Sequence, residues 1–412
     1  MTIYPTKRLK YVATINDDAL GEDTPGDYEL QYIDISNVDS SGTLHETASY
    51  SFDVAPSRAR RRVKEGDVII STVRTYLQAI ATIEGPPDNL IVSTGFAVVR
   101  PRTKELAPRF CKYALREPSF LSEVVARSTG ISYPAINASD LAAIPVFVPP
   151  LPAQRAIADQ LDRETARIDG LVAAKERLRG LLAEKRLALV THAVTRGLNP
   201  SVPLRDSGVP WLGLAPEHWG IRRIATLFHD RDERGEPDLP LLVVSINSGV
   251  VLREFSDDKI EDTAADFNSY KIARRGDVAF NKMRMWQGAV GVAPQDGLVS
   301  PDYTVACPTG DIESEYADML FRTPMFSAEC ARHSHGIVWD RLRLYWEGFR
   351  DIRIPLPPLD EQRAIVAHVS AETARLDALR FATERSIALL KERRSALIAS
   401  AVTGQMRLGE NP

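Results

Sequence analysis

The sequence predicts an α+β protein: two mixed α/β globular blocks separated by two long helices that form an antiparallel coiled coil, with the whole arranged as a pseudo-twofold internal repeat. Three observations carry that prediction. Residues 149–195 realign on 357–403 at a constant offset of 208, without a gap and with 25 identities over 47 positions. The repeated stretch has an apolar period of seven. Each copy is preceded by a block of short apolar, strand-like runs punctuated by turn residues.

A spacing of about 200 residues is far longer than the roughly 20–50 of a solenoid unit, so each copy is a domain-sized half. The boundaries follow: block one at residues 1–148, a first helical cassette at 149–197, a linker at 198–218, block two at 219–355 and a second cassette at 356–404. The linker region GLNPSVPLRDSGVPWLGLAPEHW carries prolines and glycines and reads as an irregular surface connector.

Both cassettes open on prolines, Pro149, Pro150 and Pro152 or Pro357 and Pro358, which hold the backbone extended before a helix begins. In the first cassette Leu161, Ile168, Leu182 and Leu189 occupy one heptad position, interrupted by Lys175, while Ile157, Leu171 and Leu178 supply the complementary one. In the second, Val369, Leu376, Leu390 and Leu397 repeat the first row around Thr383, and Ile365 and Leu379 repeat part of the second. Helices of about 40 residues at 1.5 Å per residue are rods of about 60 Å, longer than a compact block needs for its own core. Two equivalent apolar seams in one chain are most simply buried against each other. A parallel pairing brings the blocks together and an antiparallel one holds them apart. The residues alone leave both open, and the antiparallel form is the one expected.

The blocks correspond more weakly. Lys64-Glu65-Gly66-Asp67-Val68 aligns with Arg274-Arg275-Gly276-Asp277-Val278, each a turn leading into a strand, and Gly130-Ile131 aligns with Gly336-Ile337. Divergence outside such scaffold residues is what two copies of one device reading two different things would show, and drift of unconstrained loops gives the same pattern.

Composition is that of an ordinary globular chain, 44% hydrophobic and 26% charged, with a formal net charge of −4, which argues against disorder. No run approaches the roughly 18 apolar residues of a membrane span, and the start lacks a signal-peptide core, so a cytoplasmic protein is expected, with no membrane partner. Cys111, Cys307 and Cys330 are too scattered for a disulfide framework or a zinc knuckle. No phosphate-binding glycine loop, nucleophile elbow or HExxH occurs. His333 and His335 have an HxH spacing with no third ligand nearby, so no metal is expected. Asp17-Asp18 and Asp257-Asp258 read as turn or surface residues.

What the blocks do carry is local positive charge. Arg58, Arg60, Arg61, Arg62 and Lys64 lie within seven residues, and Lys271, Arg274, Arg275, Lys282 and Arg284 recur at the corresponding place in block two. A single such run is usually a solvated face, but recurrence in two diverged blocks favours nucleic-acid binding, because phosphate attraction depends on local rather than net charge. Arg74, Tyr76 and Gln78, with Arg284, Trp286 and Gln287, add side chains able to hydrogen-bond base edges or stack on bases. A packing role in a hairpin explains the aromatics equally well.

Together these features resemble the specificity subunit of type I restriction-modification systems. The resemblance covers nearly the whole chain and rests on two Pro-Pro-Leu-x-x-Gln-Arg-Ala-Ile entries, at 149–157 and 357–365, each after a strand-like run (Ile144-Pro145-Val146; Ile352-Arg353-Ile354-Pro355) and before a long helix. Pro216-Glu217-His218-Trp219 is similar to the family's usual start of a recognition domain. One departure is Pro152-Ala153, where the second copy has Asp360-Glu361. The resemblance implies that the blocks are target recognition domains, each reading half of a bipartite duplex sequence, with the paired helices as the ruler between them. It implies a non-catalytic chain without a cofactor of its own. Its expected partners are double-stranded DNA, two methyltransferase subunits carrying S-adenosylmethionine, and restriction and translocation subunits using ATP and magnesium.

Overall fold

The computed structural model describes residues 4–39, 42–130, 133–253, 267–336 and 342–405. The chain divides into two compact units: residues 1–177 with 383–412, and residues 178–382. Neither half of the linear repeat is therefore a unit by itself, since each unit borrows a helix segment from the other copy.

Unit 1 begins with β1 (Thr6–Arg8), a single helical turn α1 (Leu9–Val12) and β2 (Ala13–Ile15), followed by β3 (Glu29–Ile33), β4 (Ala48–Ser51), β5 (Ala59–Arg62), β6 (Val68–Ser71), β7 (Ile80–Thr82), β8 (Leu90–Ser93) and β9 (Phe96–Pro101). Helices α2 (Pro108–Ala114), α3 (Pro118–Arg127) and α4 (Ala138–Ala143) then lead to β10 (Pro145–Phe147) and the long α5 (Leu151–Arg196). One antiparallel sheet has the order β2-β9-β6-β7; a second has the order β4-β3-β8-β5, with β3 and β8 parallel. Strand β10 returns to pair with β1, Thr6 opposite Phe147, which ties the block's two ends together. Strand β6 is apolar throughout because both its faces are covered: Val68 and Ile70 enter the core shared with the helices, and Ile69 enters the core between the sheets. Strand β9 alternates likewise, Ala97 and Val99 to one side and Phe96 and Val98 to the other.

In unit 2 the linker departs from expectation. It folds as a hairpin, β11 (Leu204–Asp206) with β12 (Leu214–Pro216), around a small core of Val209, Leu212 and Ala215 with Trp211 packed against it. Gly208 and Gly213 adopt positive φ (66° and 64°), which lets the chain reverse there. Then come β13 (Gly220–Arg223), β14 (Phe228–Asp230), β15 (Leu242–Ser245), β16 (Gly249–Leu252), β17 (Lys271–Ala273), β18 (Val278–Asn281), β19 (Val290–Val292), β20 (Gly297–Val299) and β21 (Tyr303–Pro308). Helices α6 (Ser314–Phe321), α7 (Pro324–Arg332) and α8 (Trp346–Asp351), strand β22 (Arg353–Leu356) and helix α9 (Leu359–Thr403) complete it. The sheet β14-β21-β18-β19 repeats β2-β9-β6-β7 strand for strand, and β13 pairs with β22 as β1 does with β10. Even the caps correspond with changed chemistry. Helix α3 starts at Pro118 with the Glu117 carboxylate accepting from two amides, and α7 starts at Pro324 with the Thr323 hydroxyl accepting from Phe326 N–H.

The first half of α5 and the second half of α9 belong to unit 1, and the remaining halves belong to unit 2. Within each unit the two segments run antiparallel. In unit 1 Asp169 pairs with Arg394 (2.9 Å) and Glu176 with Lys391 (3.4 Å), so numbering rises in one helix as it falls in the other. In unit 2 Arg186 pairs with Asp377 (3.6 Å), which is the Asp169–Arg394 pair with the two helices exchanged. That exchange carries the internal repeat down to single side chains.

Of the first heptad row, Leu161, Ile168, Val369, Leu376 and Leu397 are buried, and Leu182, Leu189 and Leu390 are half-buried. The second row is corrected. Ile157 and Ile365 are buried, but Leu171 (45% exposed), Leu178 (44%) and Leu379 (56%) face solvent, and the buried or half-buried residues stand one place later, at Thr165 and Val172 and at Thr373, Arg380 and Ile387. A helix turning every 3.6 residues drifts about 20° per heptad against a strict period of seven, so a second row extrapolated from Ile157 or Ile365 walks off the contact face.

Each cassette is anchored by one glutamine. The Gln154 amide accepts from Ala107 N–H (2.8 Å) and donates to the carbonyls of Glu105 (2.9 Å) and Pro149 (2.8 Å). Gln362 does the same with Glu313 N–H (2.8 Å), Asp311 (3.1 Å) and Pro357 (2.9 Å). Both side chains are fully buried, and no apolar residue can satisfy the three backbone groups left behind. Gln362→Leu is expected to destabilise unit 2 by about 2–4 kcal/mol. Urea unfolding followed by tryptophan fluorescence reads this directly, because all five tryptophans lie in unit 2. A change below about 0.5 kcal/mol would remove the clamp from the list of anchors.

Candidate nucleic-acid interface

The repeated Gly-Asp turn sets the geometry of each candidate surface. Gly66 (φ 81°) and Gly276 (φ 92°) take the left-handed conformation, and the next residue turns inward: Asp67 accepts from Lys64 N–H and Asp277 from Arg274 N–H, both at 2.8 Å. The two carboxylates are almost wholly buried and need a cation. In unit 1 Arg100 on β9 supplies it bidentately, at 2.9 and 2.8 Å, and also binds Asp17. In unit 2 Cys307 stands at that position of β21, and Arg231 comes instead from the end of β14, its Nε 2.8 Å from Asp277 without the alignment of a hydrogen bond and a second guanidinium nitrogen donating to Cys307 Sγ at 3.1 Å.

The basic residues of the two blocks are not equally available. In block one Arg58 is exposed, Arg60 lies over the Phe52 ring at 4.5 Å, and Arg62 (4.0 Å) and Lys64 (2.9 Å) share Asp18. Arg61 is half-buried, with an Nε that meets no hydrogen-bond acceptor among the described residues, and burial lowers its pKa. In block two Lys271 is buried and sits 3.4 Å from Asp232. Arg274 is gripped by Glu236 (2.5 Å), Asp296 (3.1 Å) and Glu233 (3.4 Å), and these carboxylates raise its pKa further. Arg275 is exposed and Lys282 half-buried. Much of the charge that recurs in the sequence is thus already matched inside its own block.

The second set of candidates converges better. Arg74, Tyr76 and Gln78 are all exposed on the β6–β7 connection, around a 3-10 turn at Thr75–Leu77. Arg74 and Gln78 both hold φ 51°, a left-handed backbone that costs a non-glycine residue about 1–2 kcal/mol each and is typically kept where a side chain must be aimed. The β18–β19 connection repeats the turn at Met285–Gln287, with Gly288 (φ 89°) in place of Gln78. Arg284 and Gln287 are exposed, and Trp286 is half-buried with its Nε1 donating to the Met283 carbonyl at 3.0 Å.

A second loop closes on each turn. In unit 1 Val73 and Thr129 both bridge to Ala135, and Ile136 N–H donates to Thr72 O. In unit 2 His335 bridges to Arg343, and Leu344 N–H donates to Lys282 O. The exposed Tyr133 comes with the unit 1 loop, and sequence reasoning passed it over. Its signal was there, in the repeated Gly130-Ile131-Ser132-Tyr133 and Gly336-Ile337-Val338-Trp339, an aromatic three places after each glycine. Residues 131–132 and 337–341, like Asp257-Asp258, lie outside the described residues. His333 is held by Glu329 at 3.3 Å, and the described residues contain no group of three potential metal ligands. No described helix is long and apolar enough to cross a membrane.

Glu361, the acidic residue that the first cassette lacks, meets the His218 ring nitrogen at 2.8 Å, joining the start of block two to its helix. The Pro152-Ala153 departure therefore removes one contact while the glutamine beside it keeps its full set.

Residues 14–176 match the family model for the type I restriction modification DNA specificity domain. Among curated proteins the chain is similar to the EcoBI specificity subunit of Escherichia coli, 23% identical over 340 residues that span 74% of this chain and 67% of that protein. It is 22% identical over 339 residues to the EcoKI specificity subunit of Escherichia coli strain K12, spanning 76% and 69%. Among solved structures, a chain from a study of assembly and conformational transition in the type I R-M system shares the fold at a TM-score of 0.76, with 22% identity over 98% of this chain and 99% of that one. The HsdS subunit from Thermoanaerobacter tengcongensis does so at 0.54, with 22% identity and 98% of both chains covered.

Proposed function

We infer that this chain, which belongs to the specificity subunits of type I restriction-modification systems, gives such a complex its DNA sequence specificity by reading a bipartite duplex target, one half-site per unit. The observation that carries the two-reader reading is the duplicated turn: Arg74 to Gln78 and Arg284 to Gly288 hang from corresponding strands of two equivalent sheets, while the side chains they present differ. A sheet that keeps its core and changes its loops can address two sequences with one architecture, since phosphate contacts position a protein and a few side chains specify bases.

On this reading the chain itself is non-catalytic. The methyl donor S-adenosylmethionine belongs to two methyltransferase subunits docked on the helical cassettes, and ATP and magnesium to the restriction and translocation subunits, all acting in the cytoplasm. The helices are the ruler, because each contributes one half to each unit. A scaffold whose blocks bind proteins would use the same helices without DNA.

Selection from a randomised duplex library, by the full chain with its methyltransferase partner, separates the two. The specificity reading expects enrichment of two short elements at one fixed spacing. A scaffold enriches nothing, and a single continuous element would contradict the two-reader arrangement.

A further inference from the structure

We propose that Arg74 reads a guanine in the first half-site and that Tyr133 is the positioning residue that holds its guanidinium in the reading plane. The proposal rests on the DNA-reading function above and assigns it to particular atoms.

Three independent features meet at Arg74. Its backbone is held at φ 51° and ψ 49°, with Gln78 also left-handed across the turn, so the loop fixes the direction in which the side chain leaves the sheet. Its guanidinium carbon lies 5.0 Å from the centroid of the Tyr133 ring, an exposed ring that no core requires. The ring is delivered by a loop that the Thr129–Ala135 bridge closes on itself and that the Val73–Ala135 bridge and the Ile136–Thr72 hydrogen bond tie to the reading turn, so ring and turn are set together.

A flexible arginine loses about 2 kcal/mol of side-chain freedom when ordered. One already held over an aromatic ring has lost part of that freedom before DNA arrives, and contact through the face of the guanidinium leaves its N–H edge to meet a base. The base edge that matches two parallel donors is the O6 and N7 pair of guanine in the major groove, the commonest specific arginine contact. Tyr76, Leu77 and Gln78, exposed beside it, are the neighbours that would read or pack against adjoining pairs.

The test is the library selection repeated with three variants of the full chain. Wild type is expected to enrich one G·C pair in the half-site read by unit 1. Arg74→Lys keeps the charge but lacks the fork, and is expected to lower the preference for that guanine by about tenfold or more. Tyr133→Ala is expected to lower the same preference at the same pair and leave the second half-site untouched, and Tyr133→Phe, which keeps the ring face, to preserve it. The proposal is overturned if Tyr133→Ala retains the guanine preference, if Arg74→Lys does, or if either weakens binding uniformly at every position, which is the behaviour of a phosphate contact. A wild-type chain that selects no half-sites would instead overturn the DNA-reading function itself.

Discussion

Arg231→Asn is expected to destabilise unit 2 by about 3–5 kcal/mol, and the double variant Arg231→Asn with Cys307→Arg to recover most of that loss. Asp277 is 3% exposed at its side chain, and Arg231 is the cation that faces it at 2.8 Å. Removing that cation leaves a buried carboxylate whose desolvation is no longer offset, the costly way to break an ion pair. The rescue follows from the register. Arg100 stands on β9 opposite Thr14, and Cys307 stands on β21 opposite His229, so the two residues occupy equivalent places. On the neighbouring strand Asn16 N–H donates to Val98 O and Arg231 N–H to Val305 O, both at 2.9 Å, so these positions correspond too. The two units solve one electrostatic problem from adjacent strands, and the double variant moves the unit 2 solution to where unit 1 has it. Tryptophan fluorescence in a urea titration follows unit 2 alone. A loss below about 1 kcal/mol for the single variant, or no recovery in the double, would mean that Asp277 is compensated by another group.

That exchange also shows where sequence reading stops. The offset of 208 and the heptad row through Leu161, Ile168, Val369 and Leu376 were legible because covalent order and helical period fix them, and both survive in the folded helices. The second row was not, because a one-residue drift decides whether Leu171 or Val172 faces the partner, and a count of sevens carries no information about drift. Charge recurrence was legible and its availability was not. Lys271 and Arg274 look like a basic patch in one dimension, and only folding brings Asp232, Glu233, Glu236 and Asp296 against them. The linker misled for a related reason: its prolines and glycines mark turns, but Val209, Leu212 and Ala215 are spaced to close a small core of their own. Tyr133 was overlooked because its meeting with Arg74 depends on a bridge between Val73 and Ala135, 62 residues apart in sequence.

Lengthening both long helices by three heptads, one insertion between Leu181 and Leu182 and the other between Phe381 and Ala382, is expected to move the selected spacer by about one turn of duplex while leaving both half-sites unchanged. Whole heptads return each inserted helix to its seam, so the Leu182, Leu189 and Leu390 row stays in phase on either side of the insertion. Three heptads add about 31 Å of helix at 1.5 Å per residue, close to the 34–36 Å turn of the duplex, so a reader displaced by that distance again meets the major groove on the same face. A single heptad adds only about 10 Å, which is about three base pairs, and leaves the second reader roughly 100° around the duplex from its groove. Binding to the original spacing should then fall by about 10³-fold or more toward the non-specific level in both insertion variants, with high-affinity selection returning in the three-heptad protein alone. If the spacer stays fixed while the helices lengthen, the separation of the readers is set elsewhere, and the helices serve only to dock partner subunits. If the half-sites themselves change, the reading turns are not independent of the helices, and the ruler argument fails at its first step.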